Sequence, residues 1–94
     1  MNKDEIVRWH VFFSGEVQAV GFRVTAAGFA RSLRLTGWVQ NLVDGRVEME
    51  VQGTKEALMD LLIQLKNHPP IEIEDYQIKQ VPVKDGEISF RITG

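Results

Sequence analysis

The chain has no cysteine and only two histidines, His10 and His68, among its 94 residues. Without thiols it forms no disulfide, no iron–sulfur cluster and no thiolate zinc site, and it has no cysteine nucleophile. Two histidines are also too few for a metal site built mainly from imidazole. The composition therefore excludes several common kinds of enzyme chemistry, and we expect no bound metal.

An excess of charge of either sign is also missing. The 11 basic and 13 acidic side chains leave a formal net charge of −2, which argues against a partner held by bulk charge, such as a nucleic acid. No apolar run approaches the roughly 18 residues of a membrane-spanning helix, and the charged N-terminus lacks the apolar stretch of a secretory signal. We therefore expect one domain over residues 1–94, in the cytoplasm, that binds neither nucleic acid nor membrane.

Alternating apolar residues predict strands, and apolar residues at helical spacing predict helices. The predicted strands are Ile6–Ser14, Trp38–Val43, Arg46–Gln52, Ile71–Val81 and Ile88–Ile92. The predicted helices run from Phe22 to near Arg34, and from a cap at Thr54 to the stop at His68-Pro69-Pro70. Asp44-Gly45 predicts a two-residue hairpin loop between the second and third strands.

The order of these elements is β-α-β-β-α-β with an extra C-terminal strand. It predicts a ferredoxin-like α+β sandwich, in which an antiparallel sheet carries two helices on one face. On the open face, away from the helices, we expect His10, Trp38 and a solvated stripe of Glu48 and Glu50. The fold alone does not predict function, because it hosts many unrelated ones.

Topology brings several polar residues to one edge of this sheet. A right-handed crossover makes the first and second strands run in the same direction, so their C-terminal ends lie at the same edge. The loop Gly15–Gly21, the start of the first helix and Asn41 should therefore meet there, with His68 nearby.

The loop Gly15–Gly21 has the features of an anion site. It leads into a helix whose first N–H groups lack partners and whose dipole adds partial positive charge, and such places bind phosphate. Arg23 lies in the first helical turn, where the dipole repels a cation, so a bound anion would explain its presence. Spacing alone leaves open a solvated Arg23 or a pair with Glu16.

Asn41 is the second candidate. Alternation with Val39 and Val43 points its amide toward the helices, where a polar group needs a hydrogen-bond partner. The alternative is a turn residue, since asparagine often bonds local backbone beside an Asp-Gly turn.

Two motifs make the chain similar to a known family. The sequence closely resembles the acylphosphatases in Gly15-x-Val17-Gln18-x-Val20-x-Phe22-Arg23, followed by Gly37-Trp38-Val39-Gln40-Asn41-x-x-x-Gly45-x-Val47 and then Gly53. The resemblance covers nearly the whole chain in the expected element order. It implies hydrolysis of a carboxyl–phosphate mixed anhydride to a carboxylate and inorganic phosphate.

The resemblance also implies roles for individual residues. Asn41 would orient the attacking water, Arg23 would bind phosphate oxygens, and backbone N–H groups of the loop would cradle the phosphate. The phosphate-binding residues would be Glu16, Val17, Gln18, Ala19, Val20 and Arg23. The expected substrate is a small acyl phosphate, and we expect a monomer with no metal, no cofactor and no covalent intermediate. A carboxylate, with a pKa of about 4, leaves without a general acid.

Three residues depart from the family pattern. Phe13 stands where an aliphatic residue is usual, and Arg34 where glycine often ends the first helix. Ala19 replaces a glycine of the phosphate loop. A positive φ there would cost alanine roughly 1–2 kcal/mol, whereas a negative φ would make it harmless or slightly stabilising. Ala19 therefore leaves open an alternative function. In it, the chain is a weakly active or non-catalytic relative that only binds phosphate-bearing ligands.

An RNA-binding module is a further alternative, because that class also uses the order β-α-β-β-α-β. Such a module needs aromatic side chains on the exposed face of its third strand. The corresponding positions here are Arg46, Glu48, Glu50 and Gln52, which argue against it.

Overall fold

The computed structural model describes residues 5–94, which form two helices and five strands. The strands are β1 (Ile6–Glu16), β2 (Thr36–Asn41), β3 (Val47–Thr54), β4 (Glu72–Val81) and β5 (Phe90–Ile92). The helices are α1 (Phe22–Ser32) and α2 (Lys55–Lys66). This order confirms the predicted ferredoxin-like arrangement. Neither helix of the described chain has the length and hydropathy needed to cross a bilayer.

The strands form one sheet in the order β4-β1-β3-β2-β5. Both β1 and β2 pair antiparallel with β3, so they run in the same direction, as the crossover rule predicts. The sheet is not wholly antiparallel, because β5 pairs parallel with β2. Residues 82–89 cause this difference, since they connect β4 to β5 at the opposite edge of the sheet and contact Gln52 and Arg8 on the open face.

The core lies between the sheet and the two helices. From the sheet it contains Val7, Trp9, Val11, Phe13, Val39, Val47, Met49, Val51 and Phe90. From the helices it contains Phe22, Ala26, Ala27, Ala30, Leu58, Leu61 and Leu65. The rings of Phe13 on β1 and Phe22 on α1 pack 5.0 Å apart. This contact holds together the two ends of the segment that joins β1 to α1.

The first helix ends at Ser32 with Leu33 as C-cap, close to the predicted end near Arg34. Arg34 follows with φ +59°, and its N–H donates to the Arg31 oxygen at 3.1 Å. The Leu35 N–H donates to the Ala30 oxygen at 2.8 Å. These two bonds form a Schellman motif, in which arginine occupies the left-handed position that favours glycine.

The hairpin between β2 and β3 also differs from its prediction. The Leu42 N–H donates to the Arg46 oxygen at 2.8 Å, and the Gly45 N–H donates to the Leu42 oxygen at 3.2 Å. Val43 and Asp44 are therefore the central turn residues, and Gly45, with φ +96°, takes the bulge position. A two-residue type I′ loop would need positive φ at Asp44 as well, whereas this longer loop needs it only at glycine.

The open face of the sheet contains a buried charge. The Arg8 side chain is 0% exposed, and its Nε donates to Glu50 at 2.6 Å. Its Nη1 and Nη2 donate to Glu87 at 2.8 Å and 3.2 Å. Because Glu87 lies in the 82–89 segment, this ion pair fixes that segment across β1 and β3.

The expectation of a solvated Glu48 and Glu50 is wrong. His10 lies between them, with Nε2 2.7 Å from Glu48 and Nδ1 2.6 Å from Glu50, and the two carboxylates are only 16% and 18% exposed. Alternation places these residues on the open face correctly, but it does not show which side chains pair there. Trp38 contacts the edge of the His10 ring on this face, as expected.

The ion pairs of Arg8 predict a loss of stability in acid. Burial alone would raise the pKa of Glu50 and of Glu87, but hydrogen bonds from Arg8 outweigh it and hold both pKa values below their usual 4.5. A carboxyl with a lowered folded-state pKa stabilises the fold fully above its unfolded pKa and loses that contribution as pH falls through the folded value. We therefore expect the free energy of unfolding to decrease as the pH drops below about 4.5.

The matched variant for this prediction is Glu87→Gln, measured by urea denaturation across pH. At neutral pH it should be less stable than the unchanged protein by roughly 1–3 kcal/mol, because buried Arg8 loses the negative charge and one acceptor oxygen of Glu87. The difference should shrink as the pH falls and Glu87 protonates in the unchanged protein. A difference that is constant with pH would contradict the prediction.

Candidate active site

The segment between β1 and α1 leaves the sheet at the edge where β2 also ends. The pairing of β1 with β4 shifts register between Ser14 and Gly15. Gly15 has φ +119°, and a Cβ there would lie 2.4 Å from the Glu72 backbone oxygen. Glycine is therefore required for the chain to pass so close to β4 and enter the loop.

The loop and the first turn of α1 present backbone donors without protein acceptors. From Val17 to Val24, no N–H donates to a backbone carbonyl within residues 5–94, and the first such bond is Thr25 N–H to the Gly21 oxygen at 2.9 Å. Gly21 caps α1 in a left-handed conformation, with no side-chain cap and no acidic residue in the first turn. The partial positive charge at the N-terminus of α1 is therefore not neutralised by a capping side chain or by an acidic residue of its first turn.

Several residues of this segment line a small pocket of about 80 Å³. It is lined by Val17, Ala19, Gly21, Phe22, Arg23, Val24 and Asn41. The structure thus brings the loop, the start of α1 and Asn41 together, as the topology predicted. A larger groove of about 380 Å³ lies between α2 and β4, but neither Arg23 nor Asn41 lines it.

Four of the residues considered from the sequence do not line this pocket. Glu16 is exposed at the end of β1, and Val20 packs against the core. The Gln18 side chain turns toward the β2–β3 hairpin. His68 packs edge-on against Phe29 at 5.4 Å. The expected phosphate-binding residues Glu16, Gln18 and Val20 therefore lie beside the pocket and not in its lining.

Arg23 is held by a contact that sequence reasoning did not predict. Its Nη1 donates to the backbone oxygen of Gly94, which also accepts the Asn41 N–H at 3.1 Å. Glu16 does not pair with Arg23, and no salt bridge of Arg23 occurs among the residues that the structure describes. Gly94 reaches this place because β5 runs parallel to β2, a pairing for which no local sequence pattern gives a signal.

Asn41, the last residue of β2, has an unsatisfied acceptor. Its Oδ1 is buried and has no hydrogen-bond partner in the described chain. The alternative of a turn residue bonded to local backbone is therefore wrong for this oxygen. A buried carbonyl oxygen without a donor is costly, and Asn41 also lines the pocket, so its side-chain amide is a candidate binding group there.

Comparison with known proteins decides the family, since residues 9–92 match the family model Acylphosphatase. The chain belongs to the acylphosphatase family. It is 36% identical to an acylphosphatase of Clostridium beijerinckii over 88 residues, which cover 93% of this chain and 98% of the relative. The resemblance found in the sequence motifs is thereby confirmed, and with it an enzyme that hydrolyses small acyl phosphates.

Solved structures of acylphosphatases have the same fold. The structure from Coxiella burnetii superposes with a TM-score of 0.87 at 32% identity, covering 99% of this chain and all of that one (100%). The Bacillus subtilis acylphosphatase also gives 0.87, at 31% identity, covering 94% of this chain and 99% of that one. The RNA-binding alternative receives no support from these relatives.

Ala19 lies in the acylphosphatase loop with φ +61°. Of the two conformations considered from the sequence, the strained one is therefore present, and it costs alanine roughly 1–2 kcal/mol. The residue also lines the pocket.

We predict that Ala19→Gly raises the free energy of unfolding by up to about 1 kcal/mol, because relief of the strain exceeds the added flexibility of the unfolded chain. Hydrolysis of benzoyl phosphate should be retained or improved. The control is Ala57→Gly in the first turns of α2, where glycine should cost about 1 kcal/mol. Equal destabilisation by glycine at both positions in urea denaturation would refute the prediction.

Proposed function

We propose that this acylphosphatase binds the phosphoryl group of its substrate in the loop Glu16–Val20 and at the start of α1. Arg23 binds phosphoryl oxygens, and Asn41 orients the attacking water. The observation that carries this proposal is the run of N–H groups from Val17 to Val24 without backbone acceptors, in a segment that lines a pocket together with Asn41. Charged oxygens suit the N–H and guanidinium donors, whereas the lone Asn41 oxygen suits a water molecule.

The proposed reaction requires little besides positioning and charge stabilisation. The water oxygen forms a bond to phosphorus as the bond from phosphorus to the acyl oxygen breaks. The carboxylate leaves with that electron pair, and the proton lost by the water passes to solvent. Asn41 accepts a hydrogen bond from the water and does not act as a base, because an amide oxygen stays unprotonated at neutral pH.

The donors around the pocket are sufficient for a substantial rate enhancement. A rate increase of about 10⁶ requires about 8 kcal/mol of transition-state stabilisation. One preorganised donor to a developing negative charge contributes roughly 3–4 kcal/mol. Several loop N–H groups together with Arg23 therefore reach the required range.

Metal independence is part of the proposal. It is supported by the donor set, since N–H groups and a guanidinium bind anions and are not cation ligands. Hydrolysis of benzoyl phosphate by the purified protein should be unchanged by a metal chelator. Loss of turnover that a divalent cation restores would contradict it.

The monomeric state, the cytoplasmic location and the absence of nucleic-acid binding stay predictions.

Arg23→Ala should lose both turnover and inhibition by inorganic phosphate, with a fall of at least about 10²-fold in kcat/KM. Arg23→Lys should fail as well, because a point charge does not replace two guanidinium donors in a fixed plane. The control is Arg34→Lys, beyond the other end of α1, which should leave both quantities unchanged. Normal activity of Arg23→Lys would show that bidentate binding is not needed.

Asn41→Ala should separate binding from turnover. The variant keeps the loop N–H groups and Arg23, so the inhibition constant of phosphate should stay within a few-fold, while kcat falls by roughly 10². Steady-state kinetics with phosphate as inhibitor give both quantities. An equal loss of phosphate affinity and kcat would contradict the water-orienting role, and Asn67→Ala, beyond α2, serves as the control.

A further inference from the structure

The side chain of Gln18 joins the loop to the β2–β3 hairpin. Its Nε2 donates to the Leu42 backbone oxygen at 2.7 Å and to the Arg46 backbone oxygen at 2.9 Å. An amide nitrogen carries two hydrogens, so both donors of Gln18 are used. Leu42 and Arg46 also close the hairpin, through the Leu42 N–H and the Arg46 oxygen at 2.8 Å.

These two carbonyls flank the position of Asn41. Leu42 follows Asn41 in the chain, and Arg46 precedes Val47, the residue opposite Asn41 in the β2–β3 pairing. Gln18 therefore holds the hairpin backbone on both strands, next to the cross-strand pair that contains Asn41.

On the loop side, Gln18 lies between two residues that line the pocket, Val17 and Ala19. One side chain thus connects the backbone donors of the loop to the strand end that carries Asn41. Among the residues that the structure describes, Gln18 makes the side-chain hydrogen bonds that link the loop directly to the hairpin. The Phe13–Phe22 contact holds the two ends of the loop but does not reach the hairpin.

We propose that Gln18 is a positioning residue that sets the distance between the phosphoryl group in the loop and the water on Asn41. This inference rests on the proposed roles of the loop and of Asn41. Phosphoryl transfer needs the attacking oxygen in line with the leaving oxygen, and a misplacement of about 1 Å costs about 10²-fold in rate. The role belongs to the side chain and is separate from any contact of the Gln18 backbone N–H with phosphate.

The first variant is Gln18→Met, which has a similar length but no donor. We expect kcat for benzoyl phosphate to fall about 10- to 100-fold, while the inhibition constant of inorganic phosphate changes little. The control is Gln52→Met, because the Gln52 amide also joins two backbone segments, through Nε2 to the Lys84 oxygen at 3.0 Å and Oε1 from the Lys84 N–H at 2.8 Å. Gln52 lies outside the pocket, so this variant should lose stability but keep kcat.

A second variant, Gln18→Glu, tests whether the two side-chain donors are needed. An ionised carboxylate donates no hydrogen bond and faces two carbonyl oxygens, whereas a protonated one donates once. The activity of Gln18→Glu relative to the unchanged protein should therefore rise as the pH is lowered. A relative activity that does not vary with pH, or a Gln18→Met protein with normal kcat, would overturn the proposal.

The double variant Gln18→Met/Asn41→Ala shows whether Gln18 acts through Asn41. If it does, Gln18→Met should lower kcat much less in the Asn41→Ala background than in the unchanged protein. Fully multiplicative effects would overturn the positioning role while leaving the role of Asn41 intact. Failure of the proposed function is distinguishable, because Asn41→Ala alone would then keep its kcat.

Discussion

Backbone N–H groups between Val17 and Val24 have no backbone acceptor in the described chain, although Val17 and Phe22 are almost completely buried. Buried donors are nearly always paired in folded proteins, since an unpaired one costs free energy. In the proposed function the missing acceptor is a phosphoryl group, a kind of ligand that binds at helix N-termini and to guanidinium groups. In our account, the loop is thus a set of donors organised before the substrate arrives.

The rest of the fold holds this loop in place. The Phe13–Phe22 contact joins its two ends, and the close approach of Gly15 to β4 sets its starting direction. Because β5 runs parallel to β2, Gly94 contacts both Arg23 and the backbone of Asn41. A preorganised site needs such supporting contacts, since catalysis by positioning is lost with small displacements.

Much of this arrangement could be predicted from the sequence. Alternation and helical spacing located the elements, and the crossover rule placed the loop and Asn41 at one edge of the sheet. The rest depended on contacts distant in the chain. Alternation places Arg8 on the open face but does not show that Glu87 arrives from another segment to bury it. Likewise, the identity of Ala19 does not determine its φ, since alanine more often takes a negative value.

The assigned roles of the loop, Arg23 and Asn41 all require that water attacks phosphorus and not the acyl carbon. Benzoyl phosphate should be hydrolysed in water enriched in the heavy oxygen isotope, with a chelator present, and both products analysed by mass spectrometry. Our account predicts that the heavy oxygen appears in inorganic phosphate and not in benzoate. Heavy oxygen in benzoate would show that the acyl carbon is attacked, and the assigned roles of the loop, Arg23 and Asn41 would then be wrong.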